Sequence, residues 1–169
     1  ALKHRGPDST GYALYADNDG QNFIMRFKVG ENVGEGSSSI NEDESVYDIR
    51  KELVDQMLKS LGAKVLKEEK LTPYSYRYEM QYDEDLMDFS KKIESIESVE
   101  ILSIGKSLEL IKDLGDAKVV LDRYDLGKVT GTHAIGHARM ATESGVISNL
   151  LILFGDILLA MFQLCIMVN

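Results

Sequence analysis

Tyr74, Tyr76, Tyr78, Met80 and Tyr82 alternate with Ser75, Arg77, Glu79 and Gln81. A period of two sustained over that length specifies a strand with one apolar and one polar face. Its neighbours repeat the theme. Phe23, Met25 and Phe27 alternate with Ile24, Arg26 and Lys28, a second strand, and Val46, Ile49, Leu53, Met57 and Leu61 recur at helical spacing. A strand is expected at 63–68, a helix on Leu86, Phe89, Ile93 and Ile96, and a strand from Val99 to Ile104. The turn between the two middle strands falls to Thr72-Pro73, where proline fixes φ and withholds a ladder donor.

That order is β-α-β-β-α-β, so residues 22–105 are expected to form a ferredoxin-like unit with both helices on one sheet. The tyrosine row is read as the sheet face beneath the helices rather than as a binding platform. Residues 30–45 form an acidic, Gly/Ser-rich loop. Gly30-Glu31-Asn32-Val33-Gly34-Glu35-Gly36 lacks the lysine of a phosphate loop. Residues 107–126 are expected to be helical, with Leu108, Ile111 and Leu114 on one face and Val120, Leu121 and Tyr124 on another after Gly115-Asp116.

Two dense segments bracket this middle. His4-Arg5-Gly6-Pro7-Asp8-Ser9-Thr10-Gly11 is turn chemistry, with proline setting φ and an aspartate able to bond its own downstream backbone. Thr132-His133-Ala134-Ile135-Gly136-His137-Ala138-Arg139 mixes small and β-branched residues, as a buried strand approached closely by another backbone would. An arginine ending such a strand is suited to bidentate pairing with a carboxylate. The run continues as Met140-Ala141-Thr142-Glu143-Ser144-Gly145.

Taken together and in this order, the two segments resemble the signature of class II glutamine amidotransferases, members of the N-terminal-nucleophile hydrolases. Their wording is most similar to stand-alone amidotransferase subunits of the glutamate-synthase type. The resemblance implies an α+β fold: an αββα sandwich, present in part over residues 1–149, with residues 22–105 inserted. It implies glutamine as substrate and a synthase partner that receives ammonia. Arg139 would grip the α-carboxylate of glutamine and Thr142 would line the same pocket, while Arg5 and His137 would support the site. Ala138 stands where members often carry threonine.

The same resemblance implies parts that this sequence lacks. The family's nucleophile is an N-terminal cysteine whose α-amine serves as base, and this chain opens on Ala1. The family's oxyanion hole is an Asn-Gly pair, and no Asn-Gly occurs here. No catalytic residue is therefore assigned, and the chain is expected to be an inactive fragment truncated at its N-terminus.

The composition changes abruptly at residue 150, where a mostly apolar run ends in Cys165-Ile166-Met167-Val168-Asn169. Codons for this run, read two bases out of phase, permit a peptide with the family's His-Pro-Phe and His-Asn-Gly in order. Met167-Val168 forces glycine and Met161-Phe162 forces valine in that frame. A frameshift near residues 145–150 is the expected cause, making 150–169 an out-of-frame tail. The competing reading is a membrane anchor, against which Asp156 near a helix centre would cost about 2.5–3.5 kcal/mol. A further competing reading is a non-catalytic binding module built on residues 22–105.

Composition narrows the rest. A chain of 169 residues suits one domain, or one domain with an insertion, and a single cysteine excludes a disulfide framework. A net charge of −9 without a basic stripe argues against nucleic-acid binding. His4, His133 and His137 are too scattered for a metal site, and no cofactor is expected. With no apolar leader at the start, a cytoplasmic location is expected.

Overall fold

The computed structural model describes residues 9–16, 21–30 and 44–139. It is an α+β arrangement of two antiparallel sheets and three helices. The alternating segments form β2 (Phe23–Lys28) and β4 (Ser75–Gln81), joined by α1 (Glu44–Ser60), β3 (Lys64–Thr72), α2 (Leu86–Glu94) and β5 (Glu100–Gly105) in the order expected from the sequence. Their strands lie in the order β3-β4-β2-β5, every neighbouring pair antiparallel. The turn between β3 and β4 is Pro73-Tyr74.

One face of this sheet is a dry core. Met25, Phe27 and Val29 lie beside Tyr76, Tyr78 and Met80, beneath Tyr47, Val54 and Leu58 of α1 and Phe89 and Ile93 of α2. Phe27 stacks on Tyr76 at 5.4 Å and meets Tyr78 edge-on at 5.0 Å, both favoured geometries for quadrupolar rings. The tyrosine row is thus structural, as expected. The Tyr78 hydroxyl donates to Asp55 of α1 at 2.9 Å, so its polar tip is satisfied.

Helix ends follow local chemistry. Asp85 caps α2 by accepting from the backbone N–H of Met87 and Asp88. Gly62, at φ 76°, closes α1: its N–H bonds Lys59 and that of Ala63 bonds Leu58, a paired C-terminal motif that needs the left-handed glycine. The buried stripe of α1 differs from the one expected. Ile49 and Leu53 are 61% and 44% exposed, whereas Tyr47, Val54 and Leu58 are buried. The reason is steric: the Tyr47 ring sits where Gly30 has no side chain, and a Cβ there would lie 2.6 Å from its Cε1. With that ring seated, Tyr47, Val54 and Leu58 face the sheet and Ile49 and Leu53 face away from it.

The second sheet has the order β6-β1-β7, built from β1 (Ser9–Ala16), β6 (Leu108–Leu114) and β7 (Gly131–Arg139). Here the expectation of a helix over 107–126 is corrected. Residues 108–114 form a strand, and only Ala117–Arg123 is helical, as α3. The leucines at helical spacing misled because the deeply buried positions of β6 are Glu109, Ile111 and Asp113. Two acids in a period of two look like solvent-facing positions until their partners are known. Val120 and Tyr124 of the α3 segment join Leu14 and Ile111 in a small second core, while Leu121 remains exposed.

Those partners lie on the polar face of the four-stranded sheet. Arg26 and Arg77 stand directly opposite each other on β2 and β4, a like-charge pairing that would destabilise a sheet by itself. Glu109 of β6 enters between them. Its carboxylate accepts from Arg26 Nε at 2.6 Å and from Arg77 Nε and Nη2 at 2.9 Å each. Arg77 also reaches Glu69 at 3.0 Å. Arg26 and Glu109 have side chains only 4% and 2% exposed. Arg26 Nη1 is a buried atom without a hydrogen-bond partner among the described residues.

A buried charge layer of this kind is costly to break from one side. Glu109→Leu, which strands Arg26 and removes the bidentate partner of Arg77, should lower stability by about 3–5 kcal/mol. Adding Arg26→Met should recover part of that loss, as urea titrations of both variants would show. Burial raises the Glu109 pKa, but Arg77 and Arg26 outweigh it and hold the carboxyl below its usual range. Asp113 behaves likewise: burial opposes, while Lys28, Tyr74 and Arg123 prevail. Unfolded carboxyls titrate near pH 4. The stabilisation is therefore complete above about pH 4 and is lost as pH falls toward the depressed folded values, which the urea midpoint measured from pH 7 to 3 should trace.

Candidate functional site

The described parts of the two segments that the sequence singles out, residues 9–11 and 132–139, meet in the three-stranded sheet. β1 is its central strand, and β7 pairs with it antiparallel so that Ser9 stands opposite Arg139, Thr10 opposite Ala138 and Gly11 opposite His137. On the other side of β1, Ser9 faces Leu114 and Thr10 faces Asp113. Antiparallel pairing puts the start of β1, the end of β7 and the end of β6 at one end of the sheet. The chain enters β1 from residue 8 and leaves β7 toward residue 140 at that end.

The start of β1 is firmly held. Ser9 and Thr10 are buried, and the Thr10 hydroxyl donates to the Gly115 carbonyl at 2.9 Å. The Tyr12 hydroxyl donates to the Ala117 carbonyl at 2.7 Å, and burial together with nearby Asp116 pushes that phenol's pKa up. β7 differs from the buried strand expected: residues 131–137 are exposed, Ile135 among them. It borders the sheet rather than filling it, because β1 takes the centre. The His133 ring stacks on Tyr15 at 4.0 Å, and Thr132 Oγ1 lies 3.0 Å from its Nδ1.

Of the residues assigned from the sequence, Arg139 ends β7 and His137 lies on its exposed stretch. Arg5, Thr142, Cys165, Asp156 and the tail 150–169 lie outside the described residues, as do 31–43 of the acidic loop. Among the described residues there is no group of three or more His, Cys, Asp or Glu side chains able to hold a metal ion, and no helix is long and apolar enough to cross a membrane.

Sequence reasoning missed the most heavily bonded side chain near this end, Asp113. It is 3% exposed and accepts from Lys28 Nζ at 3.2 Å, the Tyr74 hydroxyl at 2.8 Å, Arg123 Nη1 at 3.0 Å, the Tyr124 hydroxyl at 2.9 Å and the Leu114 N–H at 2.9 Å. Burial drives the Lys28 ammonium pKa down and the Tyr74 and Tyr124 phenol pKa values up. The signal available in the sequence was the placement of Arg26 and Lys28 on the polar parity of an otherwise apolar strand.

The register itself is testable. In a Cys165→Ser background, cysteines at Gly11 and His137 should cross-link under mild oxidation, and cysteines at Gly11 and Ala138, one residue out of register, should not. Mass spectrometry of non-reduced peptides reads the difference.

Known proteins are similar to this chain. The chain is 33% identical over 151 residues, 85% of its length, to a protein of Methanothermobacter thermautotrophicus that carries the provisional name of glutamine amidotransferase, and the match covers 45% of that protein. It is 48% identical over 48 residues, 28% of its length, to the glutamine amidotransferase-like protein GlxB of Rhizobium meliloti, covering 16% of that protein. The chain thus spans less than half the length of these relatives. No family model matches it. The two relatives support a glutamine amidotransferase-like family for this chain.

Proposed function

We propose that this chain carries the glutamine-binding part of a class II, N-terminal-nucleophile glutamine amidotransferase, whose whole form hydrolyses glutamine to glutamate and passes ammonia to a synthase partner. The observation that carries the reading is the register: strands from the two ends of the sequence pair so that Ser9, from the His4–Gly11 segment, stands opposite Arg139. A bipartite signature has meaning only if its halves share one site, and here they leave the sheet at the same end. The names of both relatives support the broader glutamine amidotransferase part of this reading. In this reading the β-α-β-β-α-β unit of residues 22–105 is a ferredoxin-like insertion in a partial αββα sandwich.

The chemistry divides between binding and attack. Arg139 offers a planar, permanently charged fork to the α-carboxylate of glutamine, and Thr142 completes the pocket wall, with Arg5 and His137 supporting. Hydrolysis needs a thiolate to attack the side-chain amide and donors to hold the oxyanion. The one cysteine, Cys165, lies in the apolar tail, and no Asn-Gly pair occurs. The chain by itself is therefore assigned glutamine binding without ammonia release. The same reading attributes the sequence after residue 149 to a change of frame, which resequencing the gene through codons 145–150 would test.

Titration of the chain with L-glutamine, followed by NMR of the labelled amino acid, should show saturable binding that D-glutamine does not match. Arg139→Ala should weaken it by about 2–5 kcal/mol, roughly thirtyfold or more, because the substrate carboxylate is left unpaired. Equal affinity in the wild type and Arg139→Ala would remove Arg139 from the site.

A further inference from the structure

The four-stranded unit is fastened to the motif-bearing sheet at two points on one strand. Glu109 and Asp113 lie on the same face of β6, four residues apart, which places them about 13 Å from each other along the strand. Glu109 engages Arg26 and Arg77, and its register partner on β1 is Leu14, toward the end remote from Arg139. Asp113 engages Lys28 and Tyr74, and its register partner is Thr10. The two fastenings therefore act at opposite ends of β1.

The fastening at Asp113 is the one that reaches the motif segments. Five donors converge on its carboxylate: two from the four-stranded unit, two from the α3 segment and one from its own strand. An ionised carboxylate has about four lone-pair sites, so this one is saturated and has little freedom to tilt. The residues just after it continue the connection. Leu114 pairs with Ser9 in register, its carbonyl accepts from Arg123 at 3.2 Å, and the Gly115 carbonyl accepts from Thr10. Ser9 in turn stands opposite Arg139. An unbroken path of direct contacts and backbone pairing thus runs from Lys28 and Tyr74 through Asp113 and β1 to the end of β7.

We propose that Asp113 is the positioning residue through which the four-stranded unit sets the strand ends beside the glutamine pocket. This rests on the glutamine-binding reading above. Asp113 touches no substrate in this scheme; it acts through Leu114, Thr10 and Ser9. A shift of the unit at the Asp113 fastening would be felt at Arg139 before it is felt at the far ends of the strands, and this gives the inserted unit a place in control of the pocket.

The test compares Asp113→Asn with Glu109→Gln in the full chain, by native-state amide hydrogen exchange and by L-glutamine titration. Asp113→Asn is expected to speed exchange tenfold or more at Thr10, Gly11, His137 and Ala138, leaving Val54, Leu58 and Phe89 within twofold. Glu109→Gln is expected to act instead around Leu14, Tyr15, His133 and Ala134. Uniform acceleration in Asp113→Asn, or an equal strand-end effect from Glu109→Gln, would overturn the proposal. If Asp113→Asn does not fold, Tyr74→Phe removes one donor contributed by the unit and should speed the same strand-end amides twofold or more; unchanged rates there would also overturn it. In the titration, Asp113→Asn should weaken L-glutamine at least fivefold and Glu109→Gln less than twofold. An unchanged affinity in Asp113→Asn overturns the link to the pocket. If wild-type chain binds no glutamine, the functional reading fails, and the exchange pattern alone decides whether Asp113 positions the strand ends.

Discussion

Two arginines facing each other across neighbouring strands would push a sheet apart, and in this chain Glu109 arrives from another sheet to sit between Arg26 and Arg77. The arrangement is reciprocal. Glu109 and Asp113 are buried carboxylates that a β-strand could not carry alone, since desolvating an unpaired charge costs several kcal/mol. Each sheet supplies the charges that make the other's burial tolerable. The interface that results is selective in geometry as well as in sign, because a hydrogen-bonded carboxylate between two guanidinium groups has few alternative placements.

That selectivity bears on where the strands end. An apolar contact between two sheets can slide by fractions of a residue at little cost, whereas three N–H donors on Glu109 and the Lys28 and Tyr74 donors on Asp113 hold β6 in place against the four-stranded unit. β6 fixes β1 by backbone pairing, and β1 fixes β7. Ser9 and the backbone of Arg139 are thus linked by strand pairing to the strand that carries Glu109 and Asp113. This division of labour separates the apolar core under α1 and α2 from the charged layer that seats the unit on β6.

Much of the chain was legible in the sequence where burial and hydropathy agree. The strands of Phe23–Lys28 and Ser75–Gln81, the helix at Leu86–Glu94 and the structural role of Tyr76 and Tyr78 all follow from periodicity, because their buried faces are apolar. Where burial and hydropathy part, the reading failed. Leu108–Leu114 buries two acids and leaves its leucines half exposed, so its hydrophobic residues traced a helix that does not exist. On α1, Ile49 and Leu53 stay exposed while Tyr47, packed against Gly30, is buried with Val54 and Leu58.

For the candidate site the balance is similar. The sequence by itself determined that the His4–Gly11 and Gly136–Gly145 segments are distinctive, that Arg139 is suited to a carboxylate, and that a β-α-β-β-α-β unit separates them, since turn residues, charge and periodicity are local properties. Only the tertiary structure decided that the ends of those segments are neighbours, with Ser9 opposite Arg139, and that Asp113 stands one residue along on the adjacent strand. Strand register is a contest among pairings distant in the chain, settled by which charges find partners once both sheets are in place. A list of residues does not contain that information until the sheets meet.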